Sequence, residues 1–160
     1  MTSKRQQILD AIGAQLPLIN TAFGYCNSVP VGRIYRGYKS KNEVNEYPVV
    51  YYGLGSETME GISEGDTILR MELEAYIGVW MQTNSGQGNI TNEMEGWIRD
   101  IKRFIQGDKQ VDKKFDLSEI KGVLNANIGR ISPYLDYEEN TGVLLIEFKI
   151  EYLESTIEGI

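Results

Sequence analysis

The side chains with the strongest claim to chemistry are Asp136 and the run Glu147-Phe148-Lys149, two carboxylates and a lysine in an Asp…Glu-x-Lys order. One class of nucleases uses such a set: the carboxylates bind magnesium and the lysine orients the attacking water. The surrounding pattern offers a plainer account. Leu144, Ile146, Phe148, Ile150 and Tyr152 alternate with Glu147, Lys149 and Glu151, which places the acid and the lysine on the polar face of an amphipathic strand, as part of a solvated charge ladder. A nuclease also has to grip phosphates through clustered Lys and Arg, and a net charge of −7 has the wrong sign for that.

Other chemistries are harder to assemble. The chain has no histidine, which removes Ser-His-Asp and Cys-His catalysis and nearly every zinc site. Cys26 has neither a base nor a cation nearby in sequence to activate it and reads as an inert structural thiol. No phosphate-binding loop is present. Gly86-Gln87-Gly88 precedes a helical segment but continues as Asn89-Ile90-Thr91, so it reads as a flexible turn. Glu57, Glu60, Glu64 and Asp66 do not have the spacing of a calcium loop and read as solvated acids. No catalytic, cofactor-binding or metal-binding residue is therefore expected. Tyr76 and Trp80 differ: they lie on the polar side of a long alternating segment, where aromatic side chains point either to a protein interface or to a covering helix.

These residues need elements to position them. Ile8, Leu9, Ile12, Leu16 and Ile19 recur at spacings of three and four, predicting a helix within residues 4–20 that is capped by Thr2 or Ser3 and ended near residue 16 by Pro17. Residues 31–38 are β-prone, and Lys39-Ser40-Lys41-Asn42-Glu43 reads as a charged loop. Tyr47-Pro48-Val49-Val50-Tyr51-Tyr52 predicts an interior strand with its proline at the start. Residues 53–66, with four glycines and the acids above, predict a mobile hairpin loop. Strict alternation over residues 69–81 predicts a long, half-exposed strand.

Ile90, Met94, Trp97, Ile98, Ile101, Phe104 and Ile105 match a helical period that Gly107 stops. Glu93, Glu95, Arg99, Asp100, Lys102 and Arg103 take the other faces and read as solvated. Residues 120–135 and 143–153 predict a closing hairpin, turned by the polar stretch between Asp136 and Gly142. The expected fold is α+β, a mainly antiparallel sheet with two amphipathic helices packed on one face, in one domain spanning residues 1–160. No apolar run approaches the roughly 18 residues that cross a bilayer, so no membrane partner is expected. A single cysteine suits assembly in a reducing cytoplasm.

The opening helix, then Ala22-Phe23-Gly24-Tyr25 leading to Val31-Gly32-Arg33-Ile34-Tyr35-Arg36-Gly37, a charged loop, and Tyr47-Pro48-Val49-Val50-Tyr51-Tyr52-Gly53 with acids beyond, resemble the tail terminator and tail completion proteins of long-tailed bacteriophages. The long strand, second helix and final hairpin follow in the same order. The resemblance implies a non-enzymatic minor tail protein of the virion, forming a homo-hexameric ring that caps the tail tube and ends its growth. Its partners would be other copies of itself, the tail tube protein and the head-tail connector, with DNA only passing through the lumen. Such a ring needs a heterologous interface that closes. The residues expected at its contacts are Arg33, Arg36, Lys39, Lys41, Glu57, Glu60, Glu64, Tyr76 and Trp80. Another head-tail joining protein, a metal-dependent nuclease and an unassigned binding module remain alternatives.

Overall fold

The computed structural model describes residues 3–62, 67–83, 87–107 and 114–155. Helix α1 spans Lys4–Gln15, and the Ser3 side chain accepts the Gln6 backbone N–H at 3.1 Å as its cap. Pro17 has no N–H to continue the ladder, so the chain tightens into a 3-10 turn at Leu16–Leu18. Of the stripe expected to be apolar, Ile8, Ile12, Leu16 and Ile19 are fully buried and Leu9 is partly buried.

Five strands form one sheet: β1 Ile34–Arg36, β2 Val49–Ile62, β3 Ile68–Gln82, β4 Val123–Asp136 and β5 Thr141–Ser155, in the order β1-β2-β3-β5-β4. The sheet is mainly antiparallel, as expected, but mixed: β1 runs parallel to β2, and the other three pairings are antiparallel. A strand of three residues is too short to bring a hydrophobic pattern of its own, and nothing in its composition announces its direction.

A correction concerns residues 53–66. Instead of a loop, residues 53–62 continue β2 and pair with β3 as far as Ile62 opposite Leu69. Glycines and glutamates disfavour strands only weakly, and a long alternating partner supplies the ladder they would not form alone. The cost shows as irregularity, with register shifts between Leu54 and Glu57 and between Met59 and Gly61. The last residues of the expected loop, Glu64 and Asp66, lie outside the described residues.

Helix α2 spans Gln87–Gln106 and ends where Gly107, at φ +81, donates its N–H to the Arg103 carbonyl at 2.7 Å. One buried cluster joins Ile8 and Ile12 of α1, Trp97, Ile101 and Phe104 of α2, and alternate residues of the central strands such as Ile77, Val79, Ile146 and Phe148. Strand alternation therefore defines a core face, in which Val50 sits opposite Val79 and Val79 opposite Leu144.

Candidate functional site

Asp100, expected in solvent, is fully buried. Its two carboxylate oxygens accept the backbone N–H groups of Cys26 and Asn27, each at 2.8 Å, and the Asn27 side-chain amide at 3.0 Å. Position 100 falls between Trp97 and Ile101 at the border of the apolar stripe, so its side chain reaches the loop after α1 instead of water. The site is structural: a carboxylate satisfied by three donors fastens one loop to one helix. Cys26 itself is exposed.

The cations expected at an interface are largely engaged within the chain. Arg33 donates to the Pro48 carbonyl at 2.9 Å and pairs with Glu46 at 2.9 Å. Arg36 bonds the Tyr52 hydroxyl at 3.1 Å and Asp10 at 2.9 Å, tying β1 to α1. Lys39 lies 4.5 Å from the Tyr35 ring centroid and 3.7 Å from Glu43, and Lys41 pairs with Glu139. The loop that carries them is folded, with Ser40 and Glu43 forming a capping box around a 3-10 turn at Lys41–Glu43.

That loop decides the fate of the two aromatics. Trp80 is buried, and its indole N–H donates to the Lys39 carbonyl at 2.7 Å. Tyr76 is half-buried and packs with Val49, Tyr51 and Trp80 in a small second cluster that also takes in Val44 and Tyr47. The cover is a loop, where the sequence had left only a helix or an interface as choices. Tyr51 sits between Tyr38, edge-on at 5.4 Å, and Tyr76 at 6.2 Å.

Burial pushes the Tyr51 phenol up to about 12, with Tyr38 and Tyr76 adding to the shift. Burial first, and then Asp100, push Tyr25 to about 12 as well. The ordinary phenol value, near 10, applies to the unfolded chain, so folding retains protons between these values. Stability is therefore expected to be full below about pH 10 and to fall as pH rises through about 12. Urea unfolding at neutral pH and at about pH 11, followed alongside tyrosinate absorbance, checks this; a folded-state tyrosinate titration complete near pH 10, with no late fraction, would contradict it.

The nuclease-like trio is not brought together. Asp136 pairs with Thr141, while Glu147 lies six residues further along β5, roughly 20 Å at the strand rise. Lys149 pairs instead with Glu72 at 3.0 Å. A different acidic group forms on that polar face: carboxylate oxygens of Glu60, Glu72 and Glu151 lie within 4.8 Å of one another. A hydrogen bond to Glu72 raises the Glu60 carboxyl above its usual range, whereas Lys149 first, then Glu60, lower Glu72. Arg70 bonds Glu151 at 2.7 Å. With two cations already opposing three acids, the group accounts for itself as the crossing of a charge ladder.

The far half of the β2–β3 hairpin is the most exposed apolar part of the central strands. Met59 is 52% exposed, Ile62 51% and Ile68 41%. Glu57 and Glu60 sit there, whereas Trp80 pairs with Val49 at the opposite end of the hairpin; the interface residues expected from sequence thus divide into two groups, a basic and aromatic one near β1 and an acidic one on the far half of the hairpin. Glu64 falls outside the described residues. Comparison with models of known protein families finds no match, and comparison with curated proteins finds no similar sequence.

Proposed function

We infer that this chain is a non-enzymatic tail terminator of a long-tailed bacteriophage, closing into a homo-hexameric ring on the tail tube and presenting a joining surface to the head-tail connector. The observation that carries the reading is the arm: an extended hairpin whose outer half leaves Met59, Ile62 and Ile68 in solvent. Soluble monomers seldom leave several large apolar side chains exposed on one stretch of sheet, here still paired to β5 as far as Ile68, and such surfaces serve protein contacts. The α+β class, one five-stranded sheet with two helices, is compatible with the reading, since the resemblance implies an α+β subunit whose sheet is flanked by helices.

In this reading the helices stand on the core face, and the negative charge of the chain lets DNA pass the lumen without adhesion. No helix is long and apolar enough to cross a membrane among the described residues. The outer half of the hairpin serves contacts between copies, and the contacts with the tube and the connector fall to the folded loop around Lys39 and Lys41. The ring forms in the host cytoplasm and ends in the virion tail.

Light scattering after size exclusion, at low and high concentration, tests the reading. A mass of about six 18.1-kDa chains, rising with concentration, together with rings under the electron microscope, is the expected result. A monomer at every concentration, with no binding to preformed tail tubes, would sink it.

A further inference from the structure

Strand β1 accompanies β2 only over residues 50–52, and Arg5 donates to the Gly55 carbonyl at 2.8 Å. Beyond that point, over residues 56–62, no strand lies on the outer edge of β2 among the described residues. On the other side of the sheet β4 is the last strand, and its outer edge is likewise unpaired. Unpaired edges are templates for another strand. Pro133, which lacks an N–H, sits in the lower half of β4, so the upper half is the better acceptor of a partner.

The two edges match in height, in shape and in charge. Met59 pairs with Met71, Met71 with Tyr152, and Tyr152 with Val123, so the open part of β2 is level with the start of β4. Beside that start lies a groove of about 570 Å³ lined by Ile105, Phe115, Leu117, Val123, Ala126 and Lys114, among others. Met59 lies in the row of Met71, which packs against the core, and so belongs to the face on which the groove opens. Residues 53–62 carry Glu57 and Glu60 and no base, whereas residues 120–135 carry Lys121 and Arg130 and no acid. Glu57, Lys114 and Arg130 take no ion pair among the described residues, unlike Arg33, Arg36 and Lys41, although Asp116 lines the same groove and feels the charge of Lys114.

We propose that the sheet continues from one copy of this chain into the next: residues 56–62 of one copy add to residues 123–129 of its neighbour, Met59 enters the groove, and Glu57 meets Lys114. Strand directions alternate from β2 through β3 and β5 to β4, so neighbours of the same orientation meet antiparallel, the more stable pairing. The edges are different surfaces on opposite sides of one subunit, which makes the contact head-to-tail, as a ring requires. The joint rests on the ring reading for its closure, but not for its chemistry.

The test uses the full chain as wild type, Glu57→Lys, Lys114→Glu and the combined swap, with association followed by light scattering and amide hydrogen exchange. Both side chains are exposed, so urea unfolding of the variants should match wild type. Each single change is expected to weaken association roughly tenfold or more by setting like charges together, and the combined swap to restore it. Amides of residues 56–62 and 123–129 should become protected on association.

Single variants that associate like wild type, with those amides unprotected, would overturn the joint; a ring-sized mass would then leave the ring reading standing. Protected edges in a dimer or an open filament would keep the joint and remove the ring. A wild type that stays monomeric at every concentration, with those amides unprotected, overturns the joint, and the ring reading falls with it when preformed tail tubes are not bound either.

Discussion

Replacing Asp100 with alanine is expected to lower the unfolding free energy by about 3 kcal/mol, because it strips the acceptor from two backbone N–H groups and one side-chain amide at once. A donor left unsatisfied in a buried setting costs roughly 1–3 kcal/mol, and Cys26 is exposed enough for water to recover part of that, which keeps the total near the lower end. Asp100→Asn keeps one carbonyl oxygen but turns an N–H₂ group toward the loop donors, so it should recover about half of the loss. Glu95→Ala, on the exposed face of the same helix, should stay within about 0.5 kcal/mol. Urea titration with an unchanged slope reads all three; an Asp100→Ala midpoint equal to wild type would mean that the loop holds itself.

The same residue shows where the sequence stops being legible. Hydrophobic periodicity identifies the core face of α2 because Met94, Trp97, Ile101 and Phe104 announce themselves, and it assigns everything else to water. Asp100 is polar and lies on the border of the stripe, so only the path of the loop at residues 26 and 27, a long-range fact, reveals its use. The long strands followed the opposite course. Alternation in β3 and β5 is visible in the sequence, and once β3 is in place it recruits residues 53–62, whose glycines and glutamates carry no strand signal of their own.

The candidate site was legible as a set of residue types, but not as a set of neighbours. Lys39 and Lys41 are charged as expected, yet what the loop does with its backbone, accepting the Trp80 indole N–H at the Lys39 carbonyl, has no signature in the side chains. The open edges are also invisible from sequence, since an edge exists only once strand order is known. The order β1-β2-β3-β5-β4 is what leaves the upper part of β2 bare and places β4 outermost.

Gly78→Ala is expected to cost about 2–3 kcal/mol, although alanine is no worse a strand residue than glycine. A Cβ at Gly78 would stand 2.0 Å from Tyr51 Cζ and 2.3 Å from its Cε2, so the ring of this cross-strand neighbour lies directly over the glycine. The arrangement is reciprocal one step along the hairpin, where a Cβ at Gly53 would meet the Tyr76 hydroxyl at 2.4 Å. The tyrosine ring covers backbone that the glycine leaves bare, and the glycine leaves room for the ring. Tyr51 is only 1% exposed, held between Tyr38 and Tyr76, so relief requires it to swing outward and displace Tyr38.

Two readouts separate this from a generic strand defect. Once exposed, the Tyr51 phenol should titrate back from about 12 toward 10. In a Tyr51→Leu background the ring is gone, and the cost of Gly78→Ala should fall below about 1 kcal/mol, an interaction energy that a double-mutant cycle measures directly. Equal costs in both backgrounds would place the penalty in the backbone of β3 and leave the tyrosine lid without a role.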